Sequence, residues 1–183
     1  FQRRRRRIRR RRRFGGLVMD LKRFWRHIVM TPWAAARAFS PSTREAIGRA
    51  VAEHERRHRG ELRFVVEAEL TSAQLWAGLG SRARAVQVFA MQGVWDTGEN
   101  TGVLVYVLLA DRKVEIVADR GISAKVEPAR WQAICAAMRE AFHDGQFEAG
   151  ALAGVAAISA LLEKHFPADA SNANELPDAP VML

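Results

Sequence analysis

Oxygen-bearing side chains crowd residues 95–121 (WDTGENTGVLVYVLLADRKVEIVADRG) more densely than any other ordered-looking stretch of this 183-residue chain. Asp96, Glu99, Asn100 and Asp119 supply carboxylate and amide oxygens, the atoms that Ca²⁺ or Mg²⁺ takes at about 2.1–2.5 Å. The stretch reads as a loop over 95–101, a continuous apolar strand over 103–110, a turn at Asp111-Arg112 and a return strand over 113–118. In such a hairpin residue 110 faces about 113 and residues near 104 face about 119, so Asp119 returns beside Asn100 and Thr101. Glu61 opens the neighbouring parallel strand and is expected at that same end. Asp111 falls at the opposite end, roughly 25 Å away, so one compact site cannot hold both aspartates. The expected metal set is therefore Asp96, Glu99, Asn100, Asp119 and Glu61, with Arg120 placed to hold a phosphate. Asp111 and Arg112 are read as a structural turn with an ion pair. The competing reading of residues 96–100 is a polar loop, with Asp119 and Gly121 shaping the exit from a strand.

Two other chemistries are weighed and set aside. His54-Glu55-Arg56-Arg57-His58 spells H-E-x-x-H, and on a helix its i, i+4 spacing would offer two imidazoles to zinc with Glu55 as general base. The motif falls in a last helical turn before Gly60 with no clear third ligand nearby, so a solvated helix end is preferred. Cys135 lies on an apolar helical face and reads as a small core residue rather than a nucleophile.

The elements that must position these residues follow from periodicity. Leu21, Phe24, Trp25 and Ile28 recur at helical spacing within 20–30, with Lys22, Arg23 and Arg26 off that stripe. The stripe suits either a helix packed on its own domain, the preferred reading, or a basic amphipathic helix lying on a membrane surface. Residues 33–39 read as a connector. Ser40-Pro41-Ser42 opens a helix expected over about 42–58. Residues 61–70 alternate as a strand buried mainly on one face, Thr71-Ser72 caps a helix expected over 72–91, and the hairpin follows. Trp131, Ile134, Cys135, Met138 and Phe142 mark a helix over about 128–143, and an apolar pattern marks another over 147–165. The order predicts a three-layer α/β/α sandwich around a small mixed sheet, with a βαβ unit followed by a β-hairpin. The organisation expected is an arm or leader at 1–18, an amphipathic helix and connector at 19–41, a domain at 42–166 and a disordered tail at 167–183.

The formal charge of +9 is local. Ten arginines fall between Arg3 and Arg13, and beyond residue 18 the chain carries 19 basic against 20 acidic side chains. The arm is expected to be either a leader preceding a start at Met19 or a polybasic segment binding anionic lipid or nucleic acid by charge alone, without specific base readout. One cysteine excludes an internal disulfide and fits a reducing compartment. No secretory pattern is visible, and the apolar run at 150–162 is short of the ~20 residues that span a bilayer.

Several pieces together resemble the TPM-domain family, which includes a thylakoid-lumen acid phosphatase and many bacterial membrane-associated proteins. They are Gly60-Glu61-Leu62-Arg63-Phe64, Asn100-Thr101-Gly102-Val103-Leu104-Val105, Ala110-Asp111-Arg112-Lys113-Val114-Glu115-Ile116, Asp119-Arg120-Gly121-Ile122 and the segment FHDGQFEAGALAG at 142–154. The resemblance covers about residues 43–166. It implies an α/β/α fold and a divalent-cation site, associated with phosphatase activity in some members. Many relatives carry Asp-Asn-Gly where this chain has Asn100-Thr101-Gly102, and Gly-Tyr-Gly where it has Asp119-Arg120-Gly121. The expectation is a short bacterial branch, cytoplasmic or peripheral at the inner face of the membrane. Its function is expected to be a binding or accessory module with a Ca²⁺ or Mg²⁺ site and an unidentified protein partner. The alternatives are a metal-dependent acid phosphatase and anionic-lipid or nucleic-acid binding through the arm.

Overall fold

The computed structural model describes residues 20–169 and 174–183. The arm at 1–18, with both readings of it, lies outside the described residues. The elements run α1 (Leu21–Val29), α2 (Pro32–Ala38), α3 (Pro41–Glu55), β1 (Glu61–Glu67), α4 (Ser72–Trp76), α5 (Ser81–Met91), β2 (Gly102–Leu108), β3 (Lys113–Ala118), α6 (Arg120–Ser123), α7 (Pro128–His143), α8 (Phe147–His165) and β4 (Val181–Met182). The sheet order is β3-β2-β1-β4. β1 pairs parallel with β2 from Glu61↔Gly102 to Glu67↔Leu108, and β2 pairs antiparallel with β3.

Strand alternation sorts the core into two layers. Leu62, Phe64, Val66, Val103, Val105, Val107 and Ile116 join the apolar sides of α3, α7 and α8, together with Ala35 and Phe39. The opposite face gathers Val65, Leu104, Tyr106, Leu108 and Val117 with Ala85 and Val88 of α5, Leu75, Val94 and Leu176. Helices on both faces of a mixed sheet make the expected α/β sandwich.

β1 is buried on both faces rather than one, although Glu61, Arg63 and Glu67 share the second face. Each has partners that make burial tolerable. Arg84 Nε and Nη2 donate to Glu67 at 2.9 and 2.8 Å, and the Tyr106 hydroxyl donates to the same carboxylate. Burial, followed by the Glu67 hydrogen bond and charge, pushes the Tyr106 phenol up. Arg63 donates to the Pro177 and Ala179 carbonyls, and Glu61 Oε2 accepts from Leu176 N at 3.1 Å.

Those last contacts correct the expected disorder of 167–183. Residues 170–173 lie outside the described residues, but the segment beyond them docks on β1 and ends in β4, paired through Val65↔Val181 and Val66↔Met182. Three further expectations change. The connector at 33–39 contains α2, which Thr31 caps and Pro32 starts, and its Ala35 and the following Phe39 enter the main core. Residues 20–41 are thus packed on the domain. The helix expected over 72–91 is two helices, because Gly78 turns left-handed at φ 70° and Gly80 restarts the chain as the N-cap of α5. The hairpin turn occupies 109–112 instead of 111–112. Leu109 N and Ala110 N bond Glu67 O and Ala68 O, so the β2–β3 ladder stops at Leu108↔Lys113.

The H-E-x-x-H stretch also differs from the expected solvated helix end. α3 stops at Glu55, which removes the helical relation between His54 and His58. Glu55 is buried and accepts from Leu62 N at 2.8 Å. His58 is 1% exposed, donates from Nδ1 to Gly60 O at 3.0 Å, and has its pKa lowered by burial to about 4. Gly60 turns the chain directly into β1, and Phe166 and Pro167 close over it, which is why these groups lose water.

Candidate functional site

The longer turn moves Asp119 opposite Gly102 rather than residue 104, and Asp119 N donates to Gly102 O at 2.9 Å. Asp119 then caps α6, its carboxylate accepting from Arg120 N at 2.6 Å. Its other oxygen, Oδ2, is buried with no hydrogen-bond partner among the described residues. An orphaned carboxylate oxygen is costly.

The loop at 95–101 meets this cap. Asn100 is left-handed at φ 56°, a conformation that asparagine tolerates. Its Oδ1 accepts from Arg120 Nε at 3.1 Å. Thr101 N bonds Thr97 Oγ1 at 2.9 Å, and Thr101 Oγ1 donates to Arg59 O at 2.9 Å, which pins the loop to the lead-in of β1. Two glycines permit the close packing. A Cβ on Gly102 would stand 1.8 Å from Val94 O, and one on Gly121 would stand 2.6 Å from Asn100 O and 3.0 Å from Glu99 O.

Of the expected metal set, then, the fold brings Asn100 and Asp119 together, with Arg120 between them. Glu61 starts β1 at this end of the sheet but is buried under Leu176, and burial raises its pKa. Glu99 turns to Arg59, 2.5 Å away, which also pairs Asp169 at 3.4 Å. Asp96 is exposed. Among the described residues no three or more His, Cys, Asp or Glu side chains gather as a metal-holding group. The two that remain still offer oxygen chemistry suited to a hard cation, provided that Arg120, which is exposed, swings away from Asn100.

At the other end of the hairpin Asp111 is the centre of a different network. Arg23 Nε and Nη2 grip its carboxylate at 3.0 and 2.8 Å, His27 Nε2 lies 3.1 Å from Oδ1, and Arg26 lies 3.6 Å away. Leu70 N donates to His27 Nδ1 at 2.9 Å, so the imidazole proton sits on Nε2 and is given to Asp111. Burial pushes the Asp111 carboxyl up, but the hydrogen bonds of Arg23 and His27 and the charge of Arg23 outweigh it and hold the pKa below its ordinary value. Arg112 completes the turn at φ 52° and stays exposed.

Beside this turn runs a groove of about 880 Å³ with an apolar floor that includes Met30, Val107 and Phe142 and a basic edge formed by Arg37, Arg112, Lys113 and Arg139. Sequence reasoning missed it because its cations come from α2, the hairpin turn and α7, with no common periodicity. Cys135 is buried, and burial and the charge of Glu115 push its thiol up to about 11, which leaves it a core residue.

Comparison with solved structures finds the NMR structure of BA42, a protein from the psychrophilic bacterium Bizionia argentinensis. It is 27% identical, with a TM-score of 0.66, covering 79% of this chain and 94% of that one. The N-terminal domain of a P. gingivalis protein is 19% identical with a TM-score of 0.56, covering 69% of this chain and 78% of that one, and speaks for the fold alone. Comparison with curated proteins finds no match. The family model of the TPM domain matches residues 34–161, and the chain belongs to that family.

Proposed function

We propose that this TPM-domain protein is a binding module whose ligand corner is Asn100, Asp119 and Arg120, and that the corner takes Ca²⁺ or Mg²⁺. The observation that carries the reading is the buried Oδ2 of Asp119, which has no hydrogen-bond partner among the described residues. Asp119 and Asn100 would hold the ion, whose chemistry when bound is that of a Lewis acid. Arg120 is the built-in competitor, since its guanidinium occupies Asn100 Oδ1. Glu61 and Glu99 drop out of the ligand set because each has its own partner.

Calorimetric titration of the protein with CaCl₂ and with MgCl₂ tests this. Binding should be abolished in Asp119→Ala and tightened several-fold in Arg120→Ala, where the competing cation is gone. Unchanged affinity in Asp119→Ala would overturn it. The phosphomonoesterase alternative draws on the same corner, with Arg120 turning to the phosphate. It requires metal-dependent hydrolysis of an aryl phosphate that disappears when Asp119→Ala and Asn100→Ala are combined.

A further inference from the structure

The apolar stripe of α1 and the side by which α1 is fastened do not coincide. Sequence periodicity puts Leu21, Phe24, Trp25 and Ile28 on one stripe, and a helix packed by that stripe would bury all four. Instead α1 is held through Arg23 and His27 to Asp111, with only Phe24 joining the core. Leu21, Trp25, Ile28 and Val29 remain 64, 61, 53 and 66% exposed, and Trp33 of α2 is 69% exposed. A polar clamp spends the inward side of the helix and turns its apolar side to the outside.

Cations surround that apolar side. Lys22 and Arg26 lie on α1 itself, and Arg37, Arg112, Lys113 and Arg139 edge the adjoining groove, all of them exposed. Arg37 lies 5.6 Å over the Trp33 ring. Among the described residues none of Lys22, Arg37, Arg112, Lys113 and Arg139 has an acidic partner within 4.0 Å. The acidic side chains on these elements are Asp20 at the N-cap of α1, the clamped Asp111, Glu115 of β3, which accepts from Ser81 Oγ and lies 4.0 Å from Arg82, Glu127 at the N-cap of α7, and Glu140 and Asp144 around its end. The ten arginines at 3–13 precede α1 in sequence, separated from it by residues 14–20.

We infer that the α1–α2 face is a docking surface for an anionic lipid bilayer. Tryptophan beside aliphatic side chains, ringed by arginine and lysine, matches a headgroup region that is apolar below and negative above. A nucleic acid would use the cations but leave Leu21, Ile28 and Val29 with nothing to do. The inferred contact is made by the outer side of α1 and α2, and no helix among the described residues is long and apolar enough to cross a membrane. The inference concerns a different face from the Asn100–Asp119 corner and does not depend on it.

Co-sedimentation of the whole chain with phosphatidylcholine vesicles, with and without 30 mol% phosphatidylserine and in EDTA, tests it. Binding is expected only with phosphatidylserine, accompanied by a blue shift of tryptophan emission. Trp25→Ser/Trp33→Ser and Arg112→Glu/Lys113→Glu should each weaken it about tenfold or more. Both pairs are exposed, so far-UV circular dichroism and thermal melts should match the parent and separate lost docking from lost fold. Because the arginines at 3–13 remain in every variant, vesicle binding at full strength in both would assign the effect to the arm and overturn the inference. So would binding to a DNA duplex that is as tight as binding to the vesicles and indifferent to the tryptophans.

Discussion

At single positions the fold leaves little tolerance around the candidate corner. Gly102 is needed for space rather than for an unusual backbone angle, because a methyl group there would overlap the carbonyl of Val94, which is backbone and cannot rotate away. Gly102→Ala should therefore separate the start of β2 from the 93–96 turn. The expected cost is at the upper end of the about 1–3 kcal/mol typical of overpacking, read as a lower urea midpoint. Since Asp119 N bonds Gly102 O, the same change should weaken Ca²⁺ binding without touching a ligand atom. The candidate site was partly legible at this scale. Hairpin geometry brought Asn100 to Asp119, and strand alternation leaves Glu61 on the same face as Asp119, so only the docking of Leu176 on its carboxylate takes it out of the corner, a contact with no signal in the local pattern. The pairing of Glu99 with Arg59 had no such signal either, because it depends on how the 95–101 loop folds back.

Among elements, α1 is the one whose attachment can be tested alone. Asp111 receives Arg23 and His27 on a side chain that is 8% exposed, so Asp111→Ala strands two donors at once. Removing one partner of a buried pair costs about 3–5 kcal/mol, and the low end applies because Arg23 is itself about a fifth exposed. The loss should appear first as faster tryptic cleavage at Lys22 and Arg26, before global unfolding, since among the described apolar side chains here Phe24 and the flanking Met30 alone reach the core and the polar ties that survive are His27 to Leu70 N and Arg23 to Leu79 O. Equal cleavage rates in mutant and parent would mean that α1 is held by other contacts. Periodicity found this helix but assigned it the wrong inward side, because hydrophobic pattern cannot anticipate a carboxylate arriving from a hairpin 88 residues away. The same limit hid β4. Nothing in PVML marks a strand, and its place depends on Arg63 and Glu61 reaching backbone atoms of the 176–179 segment. β2, by contrast, was legible from its unbroken apolar run, as a strand covered on both faces must be.

For the molecule as a whole, the C-terminal segment brings acids together around the start of β1, and pH should read that out. Burial raises Glu55 to about 9, with the charges of Glu61 and Asp178 and a hydrogen bond to Asp178 acting the same way despite the opposing bond from Leu62 N. Unfolded, Glu55 loses its proton near 4.5. Between about pH 4.5 and 9 the folded chain therefore holds a proton that the unfolded chain has released, and stability falls as pH rises, by up to about 1.4 kcal/mol per pH unit. His58 works in the opposite direction. Its folded value of about 4 lies below the ordinary 6.5, so below 6.5 the unfolded chain takes up a proton that the folded chain refuses, and stability rises with pH across that window. The two slopes offset each other from about 4.5 to 6.5 and leave Glu55 alone above it. Denaturant melts of the parent should therefore show a plateau up to about pH 6.5 and a decline to pH 9. Glu55→Gln keeps an acceptor for Leu62 N and has no proton to lose. It should flatten the alkaline limb and turn the parent's plateau into a rise between about pH 4 and 6.5, the His58 slope no longer being offset, and a variant that declines above pH 6.5 as steeply as the parent would show that Glu55 is ionised in the fold.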